Sequence, residues 1–255
     1  MLTRTRDQHT ATKNRRTPLK RLARTAGLLY IAIFILYPVA TIVRSSFVAP
    51  GDAATTAANI EANESLFRMA LAGEATVFLI EIVLAAILYV LLRPVSRSLS
   101  LSASFARVAE GVVMAAGTVV MGAFTLVAVS GAGYLAAFSP EQRDALIMFF
   151  QDANEYIVLI WGFFFALSLV LTGWLVYRSG FFPKVPGVLL TLAGVGYVAQ
   201  SFGTIVAPGA AEMLTTLVFA LAIPGELVFA LWLVTKGVDE EKWRSRAATT
   251  KEAQL

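Results

Sequence analysis

Hydrophobic positions along this chain do not recur at the spacing of one buried helix face, nor do they alternate as in a half-buried strand. They gather in six long runs. These run from Ala26 to Val43, Met69 to Leu92, Phe105 to Ser130, Tyr156 to Tyr177, Pro186 to Val206 and Glu212 to Thr235. A helix needs roughly 20 mostly apolar residues to cross about 30 Å of hydrocarbon. Backbone amides in that medium must bond within their own segment, and the ten-residue alternation of a membrane barrel is missing. The pattern therefore predicts an all-α fold, a six-span transmembrane helix bundle over residues 25–237. A basic tail (1–24) precedes it and a charged tail (238–255) follows. Two short interfacial helices are expected on the external side. One follows Pro50-Gly51, with Asp52 as N-cap of an Ala-rich stretch. The other has Ser139 as cap, Pro140 at the first helical position and an amphipathic run to Asp152, with room to continue into the fourth span.

Composition agrees. The 255 residues are 57% hydrophobic and 15% charged, against about 25% charged in ordinary soluble domains. A water-soluble enzyme is excluded on that ground. Cysteine is absent and the single histidine is His9, which removes disulfides, thiolate zinc sites, histidine-ligated haem and serine–histidine hydrolysis. No metal site and no cofactor is expected, and an enzyme is disfavoured without being excluded.

Charge sets direction. Of 21 Lys and Arg residues only Arg44, Arg68 and Arg143 fall on one side, with Arg107 grouped with the loop after the second span. The positive-inside rule then places both termini in the cytoplasm of a bacterial plasma membrane. Arg15-Arg16 before a hydrophobic run has the look of a twin-arginine export signal. No Ala-x-Ala site follows and five more spans do, so the tail reads as an orienting segment that leans on anionic lipid. The net charge of +4 thus speaks for membrane topology and not for nucleic acid. The lipid bilayer is the one expected partner; protein partners are not legible.

Acids inside the apolar runs are the candidate chemistry, because a charge at the bilayer centre costs several kcal/mol and marks functional positions. Glu74 and Glu81 share one face of the second span, about 10.5 Å apart along its axis. Glu81 stands roughly 18 Å from Arg93 and Glu226 roughly 15 Å from Lys236, both near the midplane. Arg107 and Glu110, spaced i,i+3, are expected to pair at the membrane surface with Arg107 reaching toward headgroups. Asp152 and Glu155 mark the outer mouth of the fourth span, and Gln200 lies in the outer half of the fifth. Pro224 cannot bond the Ala220 carbonyl. That leaves two readings of its surroundings: a cation or proton site beside Glu226, or a kinked helix whose Glu226 bonds a neighbour. Gly111, Ala115, Gly117, Gly122 and Gly194-Val195-Gly196 suit close helix contact.

Several local strings together resemble a bacterial group of multi-pass membrane proteins, the domain of unknown function 4386. They include Arg24-Thr25-Ala26-Gly27-Leu28-Leu29-Tyr30, Leu91-Leu92-Arg93-Pro94-Val95, Phe105-Ala106-Arg107-Val108-Ala109-Glu110 and Tyr177-Arg178-Ser179-Gly180-Phe181-Phe182-Pro183-Lys184. The similarity runs from about Arg24 to Val238. It implies a plasma-membrane protein and transfers no catalytic or binding residue. The residues themselves lead to an expected proton-, cation- or small-solute-handling protein. Its candidate pathway groups are Glu74, Glu81, Glu110, Glu226 and Gln200, supported by Arg107, Asp152, Glu155 and Pro224. A non-catalytic subunit or sensor packed against a partner and a lipid-modifying enzyme are the rivals.

Overall fold

The computed structural model describes residues 18–252. His9, Arg15-Arg16 and the rest of the expected tail up to Thr17 lie outside the described residues. Helix α1 (Pro18–Ser45) begins inside the stretch assigned to that tail. It is followed by the short α2 (Ala53–Ala62) and by α3 (Glu64–Leu92). Next come α4 (Arg97–Met114), a π-helical turn over Ala115–Val119, and α5 (Val120–Val129), which together form one continuous rod. A 3-10 turn over Gly133–Ala137 leads to α6 (Pro140–Ser179), then α7 (Lys184–Val206), α8 (Ala211–Thr235) and α9 (Glu240–Glu252). Among the described residues there is no strand. Six rods are long and apolar enough to cross a membrane: α1, α3, α4–α5, α6, α7 and α8 with its leading turn.

The spanning rods pack as a ring in chain order, α1 on α3, α3 on α4, α4 on α6, α6 on α7 and α7 on α8, and α8 returns to α1. Helices α3 and α8 thus flank α1. Leu79, Phe105, Phe202, Val206 and Phe219 stay on the outside of the ring, where a bilayer would cover them. Small residues let the backbones close in. A Cβ on Gly173 would fall 2.6 Å from the Gly187 carbonyl oxygen, and one on Gly187 would fall 2.7 Å from that of Gly173, so α6 and α7 meet main chain to main chain.

Two expected boundaries shift. The third span starts at Arg97 and not near Phe105, because Ser96 takes the N-cap and accepts from the Leu99 amide at 3.4 Å. The fourth is part of a single 40-residue helix, roughly 60 Å long, so the external amphipathic helix and the span are one element. Its start carries a full capping box: Gln142 N donates to Ser139 Oγ (3.3 Å) and Ser139 N to Gln142 Oε1 (2.9 Å). Asp52 caps α2, accepting from the Thr55 amide (2.9 Å) and hydroxyl (2.7 Å), and those donors hold its carboxyl below the usual carboxylate range. The α2 helix then seats Ile60 beside Phe67, Leu126 and Ile147 in an apolar cluster of its own. Beyond the bundle lies the described part of the charged C-terminal tail, residues 238–252. It forms α9, docked where Trp243 Nε1 donates to the Leu91 carbonyl (2.8 Å) and Thr250 Oγ1 to that of Pro94 (2.8 Å).

Candidate functional site

Moving the start of α4 to Arg97 sends Arg107 about 15 Å into the bundle. It is 1% exposed. The expected surface pair with Arg107 among headgroups is therefore corrected, since eight more residues of helix lie between it and the membrane boundary. Its partner is Glu81 of α3: Arg107 Nε donates to Glu81 Oε2 at 2.6 Å, and Nη1 reaches Tyr30 Oη of α1 at 3.1 Å. The guanidinium also lies 5.0 Å from the Tyr30 ring centre and 5.5 Å from that of Phe165 on α6. Tyr30 touches Phe229 of α8 edge-on, and Phe165 touches Tyr197 of α7. Helices α1, α3 and α6 thus contact one cation on α4, and α7 and α8 pack against the rings that cover it.

Two carboxyls lie within ion-pair distance of that cation, and a third, Glu226, is buried on α8. Glu110 Oε1 stands 3.9 Å from Arg107 Nε, beyond hydrogen-bonding distance, and both Glu110 oxygens are buried with no donor. Glu226 of α8 is 8% exposed and stands about one helical turn before Phe229, which meets the Tyr30 ring. Glu81 and Glu226, which the sequence placed only at similar depth, are both buried within the bundle. A charge 3.9 Å away gains about 4 kcal/mol from Arg107 at an effective dielectric of 20, while burying each ion costs several kcal/mol. One guanidinium can offset one carboxylate in this setting, and not three.

Glu74 belongs elsewhere. It accepts from Arg44 Nε at 3.0 Å, and Arg44 Nη1 reaches Gln151 Oε1 at 3.4 Å, while Gln151 Nε2 donates to Thr125 Oγ1 at 2.8 Å. Sharing a helix face with Glu81, it serves a second network nearer the opposite face. The Asn154 Oδ1 and the Thr118 Oγ1 of the π turn are buried without partners. Toward the Arg-rich face, a crevice of about 190 Å³ runs from Arg107 past Ser104, Ser168, Ser100 and Thr172, too narrow for a water-sized sphere. Ser100 through Thr125 covers roughly 37 Å of helix axis. Polar side chains therefore form a seam at the junction of α3, α4–α5 and α6 in two stretches, one around Arg107 and one around Arg44, separated by the apolar Val77, Phe78 and Met114 with Val158 and Trp161.

Over residues 25–237 the chain matches the family described as Domain of unknown function (DUF4386). It belongs to that family. An uncharacterized protein of Archaeoglobus fulgidus is 30% identical over 162 residues, 63% of this chain and 79% of that relative. Similar sequence therefore occurs outside bacteria. No solved structure matches the chain.

Of the remaining candidates in this DUF4386 member, Gln200 Nε2 donates to Thr215 Oγ1 at 2.9 Å, a clip between α7 and α8. Asp152 and Glu155 turn outward from α6, and their neighbours Gln151 and Asn154 turn inward. Sequence reasoning missed that inward pair. The phase set at Ser139 and carried without interruption along α6 would have found it. Pro224 does not end α8, and it lies on the exposed side, two residues from the buried Glu226. Ala220, whose carbonyl it leaves without that donor, is exposed as well. Gly225 has a packing role, since a Cβ there would fall 2.8 Å from the Leu189 carbonyl oxygen.

Unequal bonding predicts unequal mutational cost. Glu81→Gln leaves a buried guanidinium without its anion and should cost about 3–5 kcal/mol. Glu110→Gln removes no bond and should stay within about 1 kcal/mol of wild type. Unfolding of the purified protein in detergent checks both; equal losses would refute the assignment of Glu81 as the partner.

Proposed function

We propose that this DUF4386 protein binds protons at the Glu81–Glu110–Glu226 cluster and passes them along the polar seam. The observation that carries the reading is the excess of buried acid over base: Glu81 bonds Arg107, Glu110 stands 3.9 Å from it with both oxygens unbonded, and Glu226 is buried with no base at ion-pair distance among the described residues. Two of them need a compensating positive charge, and a proton fits where no larger ion has room. The described acids form no set placed to hold one metal ion, which favours the proton over a divalent cation. The unpaired oxygens of Asn154, Thr118 and Ser168 supply intermediate acceptors. π-helical turns recur at functional sites, and this one carries Thr118. The crevice beside Arg107 is closed to water, and Val77, Phe78 and Met114 form an apolar layer between the two polar stretches, so passage requires both to open. The same closure favours, as a second reading, a sensor whose cluster changes charge without conducting.

Reconstitution into liposomes loaded with a pH-sensitive dye separates these. Under an imposed membrane potential the wild type should dissipate a pH gradient, with Glu110→Gln and Glu226→Gln slower by at least about a hundred-fold. Wild-type flux equal to empty liposomes would overturn conduction, and flux unchanged in both variants would overturn the cluster as its station.

For orientation, we propose a plasma membrane with the face bearing Arg93, Arg97, Arg178 and Lys184 toward the cytoplasm. The native chain has no cysteine, so single substitutions report cleanly. A membrane-impermeant maleimide applied to intact cells should label Ala58→Cys on α2 and spare Ala248→Cys on α9. The reverse pattern would invert the topology.

A further inference from the structure

A second built feature lies outside the proposed proton seam. Where α3 ends and α4 begins, α9 folds back and leaves a hollow of about 370 Å³ bordered by Tyr89, Arg93, Arg97 and Trp243 among others. We propose that this hollow binds a phosphate group, carried by an anionic phospholipid or by a soluble phosphate ester.

The argument begins with what its walls have left to offer. Its lining holds two arginines and no acid. Both guanidiniums are exposed, and no carboxylate lies within ion-pair distance of either among the described residues. The two carbonyls that would repel an anion are already engaged, that of Leu91 by Trp243 Nε1 and that of Pro94 by Thr250 Oγ1. The only charged groups of the lining are the two guanidiniums. Planar guanidinium groups match phosphate oxygens in pairs of hydrogen bonds, and α4 opens at Arg97 with its amino-terminal dipole end directed here.

Position selects the class of ligand further. The hollow sits at the end of a spanning helix, on the same face as Arg178 over the Trp174 ring (5.6 Å) and Lys184 over the Tyr177 ring (5.2 Å). Aromatic rings beside basic groups mark headgroup depth. Trp243 supplies an apolar wall, as a glycerol backbone or sugar would need, and α9 forms the floor. Without a ligand, two exposed arginines line the hollow with no counter-charge among its lining residues.

The test uses the full chain in detergent, stripped of lipid, with native mass spectrometry counting bound phosphatidic acid against phosphatidylcholine. Arg93 and Arg97 make no side-chain bond that folding depends on, so Arg93→Gln/Arg97→Gln should keep the wild-type melting temperature. Phosphatidic acid binding should fall on the order of ten-fold in that double variant. Arg178→Gln/Lys184→Gln removes the same charge from the same face and should bind as wild type. Inorganic phosphate and glycerol phosphate are titrated in parallel. Binding of these without lipid, lost in the same variant, assigns the site to a soluble ester. Binding of the lipid alone assigns it to a headgroup. Equal losses in the two double variants would reduce the effect to general surface charge and overturn the site, as would no loss in either. Proton flux is not read in any arm, so failure here leaves the carboxyl cluster untouched.

Discussion

A guanidinium held about 15 Å inside a helix bundle must have an anion beside it, and Arg107 finds one in Glu81 at 2.6 Å. That pair joins α3 to α4, and the Tyr30 hydroxyl and the Phe165 face tie α1 and α6 to the same cation. Apolar contact cannot tell one greasy helix from another within lipid, which is itself apolar. A buried charge pair can. Its net contribution to stability is small or even unfavourable compared with a hydrophobic pair of the same shape, because both ions lose water. Retaining such a pair, with two further carboxyls around it, makes sense where the site specifies how the ring closes or handles charge.

The bundle's two halves solve the same problem differently. Near the opposite face Arg44 and Glu74 pair one to one and are joined by Gln151 and Thr125, with Glu74 Oε2 left unbonded. Around Arg107 the acids outnumber the base, and Glu110 keeps both oxygens unbonded. The first arrangement has the character of a fastener. The second holds charge that something mobile must balance. Glycines at Gly173 and Gly187 lock α6 onto α7 on the far side of the ring, leaving the polar seam along α3, α4–α5 and α6 as the junction held by side chains instead of main-chain contact.

Much of this was legible before any coordinates. Runs of apolar residues located the spans, and Asp52 and Ser139-Pro140 marked the short helices because capping chemistry is local. The intramembrane acids stood out by their cost. The position of Arg107 was misjudged for a reason that is also physical: the segment Arg97 to Ser104 is rich in serine and reads as loop. Serines in a bundle interior satisfy themselves on backbone, as Ser104 does on the carbonyls of Ala85 and Ser100 and Ser100 does on Tyr89. The inward turn of Gln151 and Asn154, the π turn at Ala115–Val119 and the docking of α9 depend on partners far along the chain. A window of neighbouring residues holds no trace of them.

The claim that the Arg107–Glu81 pair organises the bundle is tested most directly by a double-mutant cycle in detergent. Arg107→Gln and Glu81→Gln are measured singly and together by thermal unfolding. If each ion is buried for the other's sake, the double variant should be more stable than the sum of the two single losses allows, by about 2–3 kcal/mol. Strictly additive losses would mean that the two side chains do not depend on each other, and the account of the bundle's centre would fall.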